Sequence, residues 1–578
     1  LPLKGRKELL MNAAQTSRKI VIVGGVAGGA GTAARLRRND ENAQIIMLEK
    51  GPYISYANCG LPYYIGNVIK DRADLLVQSR EGFANRFHAD VRIGHEVISV
   101  DTAAKTVSVL DHGTGKQYTE TYDKLVLSPG ASPIRPRIPG ADLPHVFTLR
   151  TIPDTIRIYE FVANEHPRSA VIIGGGFIGV EMAENLTERG ISVSIIEAAD
   201  HLIGAIDKDM SYDLHNHIRA KGVKLFINET AKTITPNAVE LAAGGIVEAD
   251  MVLMSIGVVP ETGFLKDSGI QLGAKGQIIV NEKLETSAPD VYAIGDAIGV
   301  KTFVGREDAV IPLASPANKQ ARLAADLICG IPRAYNGCQG TSIAKVFDMA
   351  AAVTGESEKS LKRLGIPYLK AYTYSSSHAS YYPGANPMFI KLLFAPSDGK
   401  ILGAQIIGFD MVDKRIDVLA AAIRGKMTIY DLEELELAYA PPFSSAKDPV
   451  NMAAYVAENI LSGRTSPFYL EDLASLPDDA FLLDVRTEGE YRHGTIPGAV
   501  NIPVDSLRSR IGEVPAGKDI YVTCQIGLRG YIAEQILRSS GYRTHNLLGG
   551  YRHYQAKEID RAGMEKTNRE CTACGIEK

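Results

Sequence analysis

The chain has 578 residues, 45% of them apolar and 22% charged, with a formal net charge of -4. That length exceeds what one hydrophobic core can hold and predicts three to five domains. The near-balance of charge excludes bulk attraction to nucleic acid or acidic membranes, no apolar run reaches the length of a membrane span, and six irregularly spaced cysteines exclude a disulfide scaffold. A reducing, cytoplasmic compartment is the expectation. The 55 glycines, without a repeat period, point to many tight turns and close backbone approaches. Residues 1–17 carry Lys4, Arg6 and Lys7 without the long apolar stretch of a secretion signal, and read as an N-terminal extension.

The first strong element is KIVIVGGVAGGAGTAARLRR, Lys19 to Arg38. An apolar strand, Lys19 to Val23, runs into Gly24, Gly25, Gly28, Gly29 and Gly31 and then a helix. Strand, glycine turn and helix N-terminus together make a pyrophosphate cradle, because unbonded backbone N–H groups point at the anion. The next strand, Gln44 to Leu48, ends in Glu49, placed to accept from a ribose hydroxyl. The spaced fingerprint G-x-G-x-x-G would need glycine where Val26 stands, so a local departure is expected. A second cradle follows the strand Ser169 to Ile173. Gly174, Gly176 and Gly179 complete the fingerprint, and Glu197 closes the strand Ser192 to Ile196. An acid there favours an unphosphorylated ribose, hence NADH over NADPH. One such fingerprint is weak evidence, but two in one chain imply two nucleotides: a tightly held flavin and an exchangeable nicotinamide.

Between the cradles lies PYISYANCGLPYYIG, in which Cys59 follows a polar turn and is predicted near the start of a helical stretch, where backbone amides favour a thiolate. The position five residues on is Tyr64, and no further cysteine occurs before Cys329, so Cys59 must act without a neighbouring redox partner. A lone cysteine can attack a disulfide or persulfide and hold the mixed species, or cycle as a sulfenic acid. Further along, ETSAPDVYAIGD is predicted as a turn, a short strand Val291 to Ile294, then Gly295 and Asp296, an acid able to bind a ribityl chain and cap a following helix. Cys329 and Cys338 are read as structural.

These segments resemble the two-dinucleotide-domain flavoprotein disulfide reductases. The resemblance implies that Asp296 binds FAD and that Ser128 to Gly130, with Gly130, and Gly257 are crossovers between the nucleotide domains. The string around Cys59 is similar to coenzyme A-disulfide reductases, a family with FAD, a single catalytic cysteine and a C-terminal dimerisation domain. On that resemblance Cys59 is the nucleophile, and Ser55 and Asn58 are its polar neighbours at the substrate. Arg35 and Arg38 contact coenzyme A phosphates. Tyr381, in SHASYYPGA, and Tyr439, in ELAYAPPFSSAKDPVN, are supplied by the other subunit of a homodimer; Tyr382 adjoins Tyr381 and competes for its role. A phenol beside the sulfur can protonate or stabilise the departing thiolate.

Beyond residue 467 a small α/β domain is predicted, with strands Phe481 to Val485 and Ile520 to Thr523. The second leads into Cys524-Gln525-Ile526-Gly527-Leu528-Arg529-Gly530 and a helix. A cysteine at a strand end before a tight loop is surrounded by amides that favour its anion, and Arg529 can lock the loop or hold an anionic substrate. With DVR and GTIPGAVNIP upstream, this part resembles a rhodanese domain, which implies that Cys524 carries a persulfide. The phosphatase relatives need one more residue between cysteine and arginine. The tail holds Cys571-Thr572-Ala573-Cys574, a C-x-x-C that could be a redox pair or half a metal site; no metal site is expected.

The expected fold is α/β: two Rossmann-like dinucleotide-binding domains, an α+β dimerisation domain and a C-terminal α/β rhodanese domain. The boundaries are 18–149 and 271–338 for FAD, 150–270 for NAD(P)H, 339–467 for dimerisation, 468–567 for rhodanese and 568–578 for the tail. The expected activity is NAD(P)H-dependent reduction of coenzyme A disulfide or a persulfide or polysulfide. The alternatives are an NADH peroxidase or oxidase of the same fold, and a redox-sensing flavoprotein without catalysis.

Overall fold

A computed structural model describes residues 17–574, with the side chains of 568 and 570–574 excepted. The expectation for residues 1–16 and the side chains of Cys571 and Cys574 fall outside the described residues; the backbone of the closing helix, Gly550–Cys574, includes both cysteines. The chain forms two compact units. Within the described residues one comprises 17–135, 148–166 and 256–338, the other 136–147, 167–255 and 339–574.

The first unit is built on a parallel sheet in the order Val291–Ala293, Lys124–Leu127, Lys19–Val23, Gln44–Glu49, Ala89–Ile93. The central strand is apolar because both faces are covered, as parallel sheets require; Ile20, Val21 and Ile22 are fully buried. The helix Ala27–Asn39 follows that strand. Its small residues Gly28, Gly29, Ala30, Ala33 and Ala34 form the buried face. The segment 256–270 and the helix Ile152–Glu165 group with this unit rather than with the second nucleotide sheet, and 136–147 groups with that sheet. The pairing is physical: Val258–Pro260 runs antiparallel to Ala131–Pro133, and Val146–Phe147 extends the second sheet beside Met251–Met254. Cys338 packs into the core of this unit.

The second unit repeats the device. Its parallel sheet runs Lys224–Ile227, Ser192–Glu197, Ser169–Ile173, Met251–Met254, Val146–Phe147. An antiparallel sheet of five strands follows, in the order Ser342–Val346, Met349–Gly355, Ile401–Gly408, Pro387–Phe394, Leu369–Ser376, with the helices Val412–Gly425 and Pro449–Leu461. Last comes a five-stranded parallel sheet, Pro467–Phe468, Arg543–Leu547, Asp519–Thr523, Phe481–Asp484, Val500–Asn501. Its edge strand, Pro467–Phe468, is only two residues long. Two residues are too few for a strand period to show in sequence. Among the described residues no helix is long and apolar enough to cross a membrane.

Candidate active sites

The two glycine turns have the same construction. Gly24 and Gly174 adopt φ of 94° and 104°, in the left-handed region that favours glycine. A Cβ on Gly29 would lie 1.7 Å from the Gly24 carbonyl oxygen, and one on Gly179 would lie 2.1 Å from that of Gly174, so both helices seat on their turns only as glycine. Glu49 accepts from the amides of Gly25 and Gly51 at 2.8 and 2.7 Å; Glu197 accepts from Gly175 and Ala199, both at 2.7 Å. Each carboxylate thus keeps lone pairs for a ribose diol. Burial pushes the Glu49 carboxyl up, while the amides of Gly51 and Gly25 pull it down. The helices Ala27–Asn39 and Phe177–Glu188 both start without a side-chain cap, which leaves their first amides to an anion. The departure at Val26 is sterically harmless. It has φ -98°, and the matching Gly176 has φ -74° with open space around a would-be Cβ.

Three segments meet at the first turn. Ser128 Oγ lies where a Cβ of Gly28 would point, at 2.3 Å, and 3.6 Å from that of Gly295. Gly130 and Gly295 have φ of 76° and 80°, and the Gly295 amide donates to Gln320. Asp296 accepts from Arg150 at 2.7 Å, and Arg150 also lies against Gly130. Sequence reasoning missed Arg150 and Gln320, whose partners lie over a hundred and 25 residues away respectively. The expectation that Asp296 caps a helix is corrected: a single 3-10 turn, Gly295–Ala297, leads directly into the strand Ile298–Lys301, and the next helix starts at Ala314.

Cys59 is exposed, in the turn Asn58–Gly60 that runs into the short helix Leu61–Ile65. The segment carrying it is bonded to the first cradle: the Ser55 amide donates to the Gly25 carbonyl at 2.9 Å, and Ile54 packs where a Gly25 side chain would be. Ser55 holds φ 45°, a conformation that costs a non-glycine residue and persists where the surroundings fix it; its carbonyl accepts from Val77 and Gln78. The Asn58 side-chain oxygen is buried without a hydrogen-bond partner. Arg35 is ion-paired with Asp326 at 2.7 Å, whereas Arg38 is exposed with its guanidinium 6.0 Å from the Phe87 ring centre.

In the second unit Tyr381 and Tyr439 share a hydrogen bond of 2.9 Å between their hydroxyls, though 58 residues separate them. Both rings are exposed, and the contact raises the Tyr381 phenol above its ordinary value. Tyr382 instead packs edge-on to His378.

Cys524 is 1% exposed, and its sulfur accepts from the Gly527 amide at 3.1 Å. The loop is pinned from behind: the amides of Tyr551 and Arg552 donate to the carbonyls of Cys524 and Gln525, and a Cβ on Gly550 would strike the Cys524 carbonyl at 2.5 Å. Arg529 makes a two-pronged ion pair with Glu490, both contacts 2.7 Å, which draws the Glu490 carboxyl down to about 2. Arg486 pairs with Asp484 and lies 3.9 Å from the Tyr551 ring centre. Glu490 was not singled out in sequence. One acidic cluster among the described residues, Asp207, Asp209 and Glu358, brings three carboxylates together, and Lys391 sits among them, 2.8 Å from both Asp207 and Asp209 and paired with Glu358.

Residues 18–321 match the pyridine nucleotide-disulphide oxidoreductases, and 341–449 match their dimerisation domain. The chain belongs to the pyridine nucleotide-disulphide oxidoreductase family. Residues 469–557 add a rhodanese-like domain. The coenzyme A disulfide reductase of Staphylococcus aureus is 37% identical over 441 residues, 76% of this chain and all of that protein. A crystal structure of reduced Bacillus anthracis CoADR-RHD aligns with a TM-score of 0.93 at 49% identity, over 94% of this chain and 99% of that one. An NAD-dependent persulfide reductase from A. fulgidus aligns at 0.88 with 35% identity, over 93% of this chain and 100% of that one. The water-forming NADH oxidase of Lactobacillus brevis is more distant, with a TM-score of 0.74 and 27% identity over 77% of this chain and 99% of that one. Membership agrees with the expected α/β fold and with a flavin and a pyridine nucleotide as the cofactors of this chain, and the two cradles fit those groups: paired amide-bound carboxylates for two riboses, uncapped helix starts for two pyrophosphates.

Proposed function

We propose that the protein is an FAD-dependent NAD(P)H:coenzyme A-disulfide reductase that also reduces coenzyme A persulfide or polysulfide, acts as a homodimer in the cytoplasm, and uses Cys59 as its nucleophile. The observation that carries this reading is the placement of Cys59: an exposed sulfur on a segment hydrogen-bonded to the Gly25 turn, with no second cysteine in reach by sequence. Gly24, Gly25, Gly28, Gly29, Glu49, Gly130, Gly295 and Asp296 would hold FAD, which would supply the two-electron relay from the nicotinamide to sulfur. Gly174, Gly176, Gly179 and Glu197 hold the nicotinamide nucleotide.

The Cys59 thiolate attacks one sulfur of the disulfide. A Cys59–coenzyme A mixed disulfide forms and the other half leaves as a thiolate, which takes a proton. Two electrons then cleave the mixed disulfide, returning the Cys59 thiolate and releasing the second thiol. With a persulfide the leaving group is hydrosulfide or the parent thiol, according to which sulfur is attacked. Ser55 and Asn58 orient the substrate at Cys59, and the unsatisfied Asn58 oxygen is an acceptor for a substrate N–H. Arg38 is exposed and available to a phosphate, while Arg35 would have to share its charge with Asp326. Tyr381 and Tyr439 of the partner subunit deliver the proton: a hydroxyl that accepts from its neighbour is a better donor to a thiolate. In the rhodanese-like domain Cys524 takes sulfane sulfur from a persulfide. Its thiolate attacks the outer sulfur, so the new S–S bond replaces the old one and the donor leaves as thiolate. Arg529 holds the loop through Glu490. Fusion keeps carrier and reductase in one chain, which raises their effective concentration.

Cys59→Ser tests the reading. It should retain yellow cofactor and its bleaching by NADH while losing turnover of coenzyme A disulfide and persulfide by about a thousand-fold or more. Undiminished turnover would refute the role of Cys59. Oxygen- or peroxide-driven NADH consumption that outpaces both sulfur substrates in the unmodified protein would favour the oxidase reading instead.

A further inference from the structure

The helix Gly550–Cys574 begins inside the rhodanese-like domain, which ends at 557, and runs on along the helix Lys208–Ala220 of the second nucleotide-binding part. The two approach closely: a Cβ on Gly563 would meet the Arg219 side chain at 2.9 Å, and Asn216 donates to the Ala556 carbonyl. At their contact Asp560 accepts from Arg219 and faces Nδ1 of His215 at 3.2 Å through both oxygens. His215 and Asp560 are 1% and 3% exposed.

The other ring nitrogen of His215 looks toward the nucleotide cradle. Its Nε2 accepts from the backbone amide of Leu202 at 3.1 Å. A nitrogen that accepts an N–H carries no proton, so the neutral ring must hold its proton on Nδ1, toward Asp560. Leu202 and Ile203 in turn press on the glycine turn. A Cβ on Gly175 would lie 2.1 Å from the Leu202 side chain, and the Ile203 amide donates to the Gly175 carbonyl at 2.8 Å. Gly175 is the residue whose own amide binds Glu197. Ile203 sits at φ 50°, a left-handed conformation that a β-branched residue adopts only where its surroundings over-determine it. The strained peptide is therefore held from one side by Gly175 and from the other by His215.

We infer that Asp560 and His215 are positioning residues for the pyridine-nucleotide site, so that the C-terminal helix sets the affinity for NADH through the chain Asp560, His215, Leu202–Ile203, Gly175, Glu197. The proposal rests on the reading of the second glycine turn as the nicotinamide-nucleotide cradle. Without the carboxylate only the Leu202 amide still favours the proton on Nδ1, and the buried Nδ1–H loses the acceptor that fixes the ring. The ring can then present an N–H to the Leu202 N–H, two donors face each other, and the 202–203 peptide leaves the turn. Binding weakens, whereas the reaction of nucleotide already bound is unaffected.

The test uses the full-length holoprotein, mixed anaerobically with increasing NADH while flavin bleaching is followed. Asp560→Ala should raise the apparent Kd for NADH about five- to ten-fold, the worth of one net hydrogen bond, with the limiting rate within about two-fold of the unmodified protein. Asp560→Asn keeps an acceptor for Nδ1–H and should restore the Kd. Arg219→Ala removes the other partner of Asp560 without touching His215 and should leave the Kd within about two-fold. His215→Asn retains a donor for Asp560 but cannot reach Leu202; it should match Asp560→Ala and serves where that variant fails to fold. An unmoved Kd in Asp560→Ala or His215→Asn overturns the inference, as does an equal rise in Arg219→Ala, which would make helix docking alone the cause. An unmodified protein that neither NADH nor NADPH reduces would overturn the cradle assignment and the inference together.

Discussion

The two cysteines assigned to sulfur chemistry live in opposite surroundings. Cys59 is exposed in a turn before a helix of five residues, on a segment tied to the Gly25 turn through Ser55 and to Leu75 through Ala57. Cys524 is 1% exposed in a tight loop, has a backbone amide on its sulfur and is clamped by residues 550–552. The contrast matches two kinds of work. A nucleophile that must meet a large disulfide and an electron source needs room on both sides. A sulfur carrier needs shelter, because an exposed persulfide is lost to any passing thiol.

The largest effect that would break this comparison is at Cys524. Cys524→Ser should abolish sulfane transfer to cyanide or a thiol acceptor while leaving coenzyme A disulfide reduction within about two-fold, as measured by parallel steady-state assays; loss of both would mean that the two sulfurs share one reaction path. Next comes the tyrosine pair. Tyr439→Phe and Tyr381→Phe should each lower kcat for the disulfide about ten- to a hundred-fold. The double variant should be little worse than either single one, since the two hydroxyls act as one hydrogen-bonded unit. Tyr382→Phe should be near neutral, and a larger effect there than at Tyr381 would reassign the role. The smallest effect concerns the Cys524 loop. The Glu490 carboxyl is held at about 2 against an ordinary value of about 4.3, chiefly by Arg529. A depressed carboxylate stabilises the fold above its unfolded value and loses that contribution as pH falls toward its folded one. The stability gap between the native protein and Glu490→Gln should therefore be full above about pH 5, mostly lost by about pH 2 and gone below it. Because both side chains are about a third exposed, the gap should be about 1 kcal/mol at most. Denaturant midpoints across that range measure it, and a gap independent of pH would detach Glu490 from Arg529.

Much of the architecture was legible because its signals are local. A glycine that must sit at φ 94° to 104°, and an acid at the end of the next strand, announce themselves within one βαβ unit. Val26 looked like a defect only because a fingerprint counts glycines without asking which of them face empty space. What stayed hidden was pairing across distance. Arg150 with Asp296, Glu490 with Arg529 and Asp560 with His215 are joined by folding over 146, 39 and 345 residues, and no periodicity encodes such contacts. Tyr381 and Tyr382 show the same limit: as adjacent residues of one type they look alike in sequence, whereas in the fold Tyr381 bonds Tyr439 and Tyr382 packs on His378.

Lys391, enclosed by Asp207, Asp209 and Glu358, is a counter-ion written into the polypeptide. The Lys391 ammonium holds the carboxyls of Asp209 and Glu358 below their ordinary values and is itself held above its own by the carboxylates around it, with Lys391 wholly buried. A divalent ion in that position would make the join between strand Pro387–Phe394 and the start of helix Lys208–Ala220 rise and fall with the ionic makeup of the surroundings. A tethered charge cannot be diluted away or captured by a chelator, so this junction does not depend on a supply of divalent ions.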